Sequence, residues 1–79
     1  MRQKVKLPRV ADTVDEVVVI EWVAAVGDEL GVGDGLVTVE TDKTTMEIPS
    51  PVAGVLVEQL VAVEDEIETG TAIAVIDAR

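Results

Sequence analysis

From the amino terminus, Lys4-Val5-Lys6-Leu7 alternates charged and apolar residues, the two-residue period of a half-buried strand. Pro8 ends it, because proline has no N–H to give to a ladder. Residues 9–16 are polar and read as a loop. Val17-Val18-Val19-Ile20 is a continuous apolar run that Glu21-Trp22-Val23 can extend. Gly27-Asp28 marks a turn, Glu29-Leu30 a short extended piece, and residues 31–35 another turn with three glycines. The next strand covers residues 36–41. A further one covers 44–48, and Pro49-Ser50-Pro51 closes it with a rigid corner. Residues 55–61 form an apolar run after Gly54, residues 64–66 and Gly70 are turns, and residues 73–76 make a last strand.

The pattern repeats. At an offset of 37, Val18-Val19-Ile20-Glu21 falls on Val55-Leu56-Val57-Glu58, Ala25-Val26 on Ala62-Val63, Asp28-Glu29-Leu30 on Asp65-Glu66-Ile67, and Gly33 on Gly70. At an offset of 41 the opening strand also matches, with Val5, Leu7 and Pro8 on Met46, Ile48 and Pro49. Each half supplies about four short strands that cannot bury their apolar face alone. Two halves about a pseudo-twofold axis cover each other as an all-β fold, a flattened barrel or sandwich. The hairpin between residues 41 and 44 then takes, in one half, the place that the chain termini take in the other. The two should lie at opposite ends.

Composition agrees with strands: 17 valines, five isoleucines and seven threonines make 29 of the 79 residues β-branched. A chain of this length is one small domain over residues 1–79. The net charge of −10 excludes nucleic-acid phosphate as a partner and opposes anionic membranes, while it favours steering towards a basic protein surface. Lys43 is the only cation between Val10 and Ala78, and it sits with Asp42 where two β-branched runs meet. A hairpin tip is exposed and offers its side chain to other molecules. Trp22, the one aromatic, has apolar neighbours and reads as core.

The chain has no histidine, cysteine or tyrosine and a single serine, Ser50. Histidine acid–base catalysis, Ser-His or Cys-His nucleophiles and His-ligated zinc are therefore impossible. The carboxylates follow solvent-facing turns, and no alternating aspartate loop of the calcium-binding kind is present. No catalytic residue and no metal ligand is assigned; the domain is not an enzyme alone.

Glu40-Thr41-Asp42-Lys43-Thr44-Thr45-Met46-Glu47-Ile48-Pro49-Ser50-Pro51, followed by Ala53-Gly54, closely resembles the lipoylation motif of lipoyl domains from acyltransferase components of 2-oxo acid dehydrogenase complexes. The resemblance runs over nearly the whole chain. It implies two four-stranded antiparallel sheets with twofold pseudo-symmetry, and lipoate joined to Lys43 by an amide. It implies, too, a cycle with three partner sites. A thiamine-diphosphate-dependent 2-oxo acid decarboxylase reductively acylates the lipoyl group. The acyltransferase core passes the acyl group to coenzyme A. Dihydrolipoamide dehydrogenase reoxidises the dithiol. A lipoate-protein ligase installs the group, and Glu40, Thr41, Asp42 and Thr44 are the residues it would recognise. In the related biotinyl domains the lysine stands between two methionines; here its neighbours are Asp42 and Thr44, which favours lipoate. Where family members often carry Gly-Glu beside the lipoyl-lysine, this chain has Val10-Ala11-Asp12-Thr13-Val14. Ala11, Asp12 and Thr13 are thus candidate recognition residues of altered chemistry.

The resemblance further implies the leading part of a longer acyltransferase subunit and an intracellular setting, the bacterial cytoplasm or the mitochondrial matrix. The competing readings are an unmodified acidic interaction module of the same fold and a biotinyl carrier. Gly27, Gly33, Gly54 and Gly70 are spaced as turn residues. Glu64 takes the place that glycine holds at Gly27. A left-handed residue there would cost about 1–2 kcal/mol, so a slightly different turn is expected.

Overall fold

The computed structural model describes residues 1–9, 16–42 and 44–78. They form eight strands: β1 (Arg2–Lys6), β2 (Glu16–Trp22), β3 (Glu29–Leu30), β4 (Gly35–Glu40), β5 (Thr45–Pro49), β6 (Gly54–Gln59), β7 (Glu66–Glu68) and β8 (Ala72–Ala78). They make two four-stranded antiparallel sheets, ordered β1-β8-β6-β3 and β5-β4-β2-β7. Each sheet takes two strands from each half, so neither half is a unit by itself. The expected sandwich is present. The segment at 64–66, expected as a turn only, gives way at Glu66 to the short strand β7, the counterpart of β3.

The core lies between the sheets, where Val19, Leu36, Val37, Val39, Leu56, Ile73, Ala74 and Ile76 are fully buried. Leu36 and Val37 are neighbours, yet both face inward. The β4–β5 register shifts between Gly35 and Val37, and the extra residue rotates the strand by one face. Ile73 and Ala74 repeat this in β8, across from a shift between Val5 and Lys6.

The repeat holds at an offset of 37 but is corrected in the opening strand. Val5 pairs with Ala74 as Ile48 pairs with Val37, and Lys6 pairs with Ala72 as Pro49 pairs with Gly35. Leu7 N–H donates to Thr71 O and Ser50 N–H to Asp34 O, at 2.8 and 2.7 Å. The offset of β1 against β5 is therefore 43 and not 41, and the counterpart of Leu7 is Ser50, both almost fully buried. A slip of two residues keeps every side chain on its own face, so apolar alternation cannot tell the two registers apart.

Two further expectations are corrected. Gly54 is not a turn residue: it opens β6, buried, without a left-handed φ. A Cβ there would run into the Asp77 carbonyl oxygen and come within 2.9 Å of Ala78 Cα, so β6 needs a glycine to approach β8. The turn at Glu64 is also not a different one. Glu64 adopts φ 79°, the left-handed value of its counterpart Gly27 (φ 98°). The bonds agree: Gly27 N–H donates to Leu56 O and Glu64 N–H to Val19 O, both at 2.7 Å.

Candidate functional site: the β4–β5 tip

Strands β4 and β5 pair from Gly35↔Pro49 to Glu40↔Thr45. At the far end of this hairpin, Ser50 is tied to Asp34 and Gly33, and the chain passes within four residues to Gly54. Gly54 pairs with Ala78, which in turn binds Met1. The length of β4 therefore separates the tip from the joined termini, as the pseudo-symmetry requires, in a molecule 34 Å along its longest axis.

Among the residues expected at the site, Glu40, Thr41, Asp42 and Thr44 are brought together at this tip. Glu40, Asp42 and Thr44 are exposed, whereas Thr41 is buried at 8% exposure. Thr41 N–H donates to Thr44 O at 2.8 Å. The Thr41 hydroxyl also donates to that carbonyl, at 3.2 Å, and accepts from Thr44 N–H at 3.1 Å. Lys43, Ala11, Asp12 and Thr13 lie outside the described residues. Trp22 is half-buried against the core, as expected, and its indole is bonded within the fold.

Two clefts open beside the tip. One, of about 310 Å³, is lined by Glu16, Val17, Val18, Glu40, Thr41, Asp42 and Glu66. The other, of about 500 Å³, is lined by Glu40, Thr41, Asp42, Thr44 and Thr45. Glu16, Val18 and Glu66 escaped the sequence reading. The ladder places them here, because Val18 pairs with both Glu40 and Glu66. The alignment of Glu66 with Glu29 in a short strand was the available signal.

Charge is divided unevenly between two sheets that are otherwise alike. The sheet β5-β4-β2-β7 carries six carboxylates, Glu16, Glu21, Glu40, Glu47, Glu66 and Glu68, and no cation among its described residues. In the other sheet Arg2, Lys4 and Lys6 balance Glu29, Glu58 and Asp77. The tip therefore stands on the anionic sheet, the one a basic surface would approach.

Residues 3–76 match the family model described as biotin-requiring enzyme. The chain belongs to this family, in which biotin and lipoyl carriers share one fold. Its relatives place it with the lipoyl domains. It is 42% identical over 73 residues to the dihydrolipoyllysine-residue succinyltransferase component of the 2-oxoglutarate dehydrogenase complex of Staphylococcus saprophyticus, covering 92% of this chain and 17% of that protein. It is 41% identical over 78 residues to the dihydrolipoyllysine-residue acetyltransferase component of the pyruvate dehydrogenase complex of Haemophilus influenzae, covering 99% of this chain and 13% of that one. The chain thus spans less than a fifth of the length of either. The solution structure of the lipoyl domain of the 2-oxoglutarate dehydrogenase complex of Azotobacter vinelandii shares the fold. Its TM-score is 0.72 at 22% identity, over 96% of this chain and 98% of that one. A lipoyl domain is a carrier and not a catalyst by itself. The readings as an unmodified acidic module or a biotinyl carrier are not favoured.

Proposed function

We propose that Lys43 is the attachment point of lipoic acid, held in amide linkage, and that the domain carries acyl groups within a 2-oxo acid dehydrogenase complex. The observation that carries this reading is Glu40-Thr41-Asp42-Lys43-Thr44-Thr45 at a hairpin tip remote from the joined termini. Asp42 and Thr44, the neighbours of Lys43 in sequence, are exposed and line open clefts that leave room for a long substituent, so the described residues fit the group. Lipoate would supply a dithiolane able to take up an acyl group and two electrons.

The protein's own part is placement. The β4–β5 ladder holds the tip, and the polar rim keeps it wetted. The remote termini suit a tether that raises the effective concentration at each partner site into the millimolar range. The partners we infer are a thiamine-diphosphate-dependent decarboxylase, an acyltransferase core, dihydrolipoamide dehydrogenase and a lipoate-protein ligase. The anionic sheet presents each of them with the same field. The inferred setting is intracellular, with the domain as one part of a longer acyltransferase subunit.

Intact mass after incubation with a lipoate ligase, lipoate and ATP tests the reading. One lipoyl increment is expected, and it is absent from Lys43→Ala. That variant should melt within about 4 °C of the parent, since exposed tips contribute little to stability. No increment on the parent chain, with the ligase active on a control domain, would refute the assignment.

A further inference from the structure

The two halves close their equivalent strand ends by different chemistry. Thr41 and Ala78 are counterparts at the ends of β4 and β8, and Thr44 and Met1 are counterparts before β5 and β1. Ala78 N–H donates to Met1 O at 2.7 Å, as Thr41 N–H donates to Thr44 O at 2.8 Å. The return bond is where they part. Met1 nitrogen donates to the Ala78 main-chain carbonyl at 3.0 Å, whereas Thr44 N–H donates to the Thr41 hydroxyl at 3.1 Å. The strand end does not itself require a hydroxyl, because alanine serves in the other half.

The connection explains the difference. Only Asp42 and Lys43 lie between Thr41 and Thr44, and two-residue hairpins favour turns in which the first central residue has positive φ. Glu64 is the one non-glycine residue with positive φ among those described, so Asp42 does not meet that demand. The strands stay paired up to Thr41 and Thr44, but Thr44 N–H turns to the Thr41 side chain. One hydroxyl accepts from Thr44 N–H and donates to Thr44 O. A threonine that is more than nine-tenths buried at a hairpin tip is thus spent on closing a turn across Asp42 and Lys43.

We propose that Thr41 is a positioning residue for modification of Lys43: its hydroxyl holds the Asp42-Lys43 turn in the shape that the lipoylating enzyme accepts. This rests on the assignment of Lys43 above. An enzyme that reads a lysine by its surroundings loses rate when the turn moves by a fraction of its own size.

The test compares Thr41→Val, which keeps shape without the hydroxyl, with Thr41→Ser, which keeps the hydroxyl. Ligase kinetics are followed by intact mass, with Lys43 acylation by a small amine-reactive ester and the thermal midpoint measured alongside. Thr41→Val should lose about 10- to 100-fold in kcat/KM for lipoylation and Thr41→Ser less than about threefold, with acylation by the ester unchanged in both. Equal ligase kinetics for the parent and Thr41→Val would overturn the proposal. So would a lower midpoint for Thr41→Val with an unchanged rate per folded molecule, since that marks a role in stability alone. If Thr41→Val does not fold, Thr41→Ala takes its place against Thr41→Ser under the same criteria. A parent chain that accepts no lipoyl group refutes the Lys43 assignment itself, and this proposal with it; a modified parent with an equally modified Thr41→Val refutes only this one.

Discussion

Trp22 and Gln59 are counterparts in the two halves, and each donates a 2.9 Å hydrogen bond to the other half's backbone. Trp22 Nε1 reaches Val61 O, and Gln59 Nε2 reaches Ala24 O. The acceptors Ala24 and Val61 are themselves counterparts, so the two bonds form a reciprocal clasp about the pseudo-twofold axis. An indole and a carboxamide share little beyond an N–H donor at the end of a flat group. That donor is what the position selects.

Replacing Gln59 by methionine keeps the stem and removes the donor. The carbonyl of the buried Ala24 loses its partner, at a cost of about 1–2 kcal/mol. Urea unfolding followed by Trp22 emission should show a lower midpoint with an unchanged slope. A slope change would instead indicate that the clasp also compacts the unfolded chain.

At Glu64 the repeat keeps a conformation but changes the residue that suits it. With φ 79° and no requirement for its side chain in the core, Glu64→Gly removes left-handed strain while adding freedom to the unfolded chain. The balance is a gain of about 0.5–1 kcal/mol, a rise of roughly 3–5 °C in the midpoint of a domain this size. Calorimetry of the single variant decides it. A lower midpoint would mean that the Glu64 carboxylate contributes more than the strain costs.

The sequence made the architecture legible because the repeat is carried by residues with fixed duties. Asp28 and Asp65 each accept a backbone N–H three residues back, from Ala25 and Ala62, both at 2.9 Å. Such turn residues stay recognisable at a constant offset. The strand β1 had no such marker. Its two candidate registers differ by one full period of the pleat, and the strand pairing itself separates them, down to the bonds of Leu7 with Thr71 and of Ser50 with Asp34. The tip was legible as a motif, but the work of Thr41 was not: a threonine before an Asp-Lys turn looks the same in sequence whether its hydroxyl faces water or closes the loop. Gly54 was misread for a related reason, because sequence does not distinguish a glycine needed for turning from one needed for close approach.

At Gly54 the difference is measurable. A turn glycine tolerates alanine when its φ is negative, but here the added Cβ meets backbone, which cannot rotate away. Gly54→Ala should cost about 2–3 kcal/mol, as overpacking at a buried site does. The loss should appear as faster amide exchange for Leu30, the residue paired with Gly54 in β3. A neutral Gly54→Ala would show that β6 and β8 can separate without penalty.

The uneven charge of the sheets can be tested with the symmetry as its own control. Glu21 and Glu66 lie on the anionic sheet, and their counterparts Glu58 and Glu29 lie on the balanced one. The double variants Glu21→Gln/Glu66→Gln and Glu58→Gln/Glu29→Gln remove the same charge from equivalent positions on exposed strand faces. If a basic partner is steered to the tip by its own sheet, only the first pair should slow encounter with the ligase. The expected effect is about threefold in kcat/KM at low salt, vanishing as added salt shortens the screening length. Equal effects from both pairs would place the steering in the net charge and not in its location. No effect from either would remove electrostatics from the recognition of this tip.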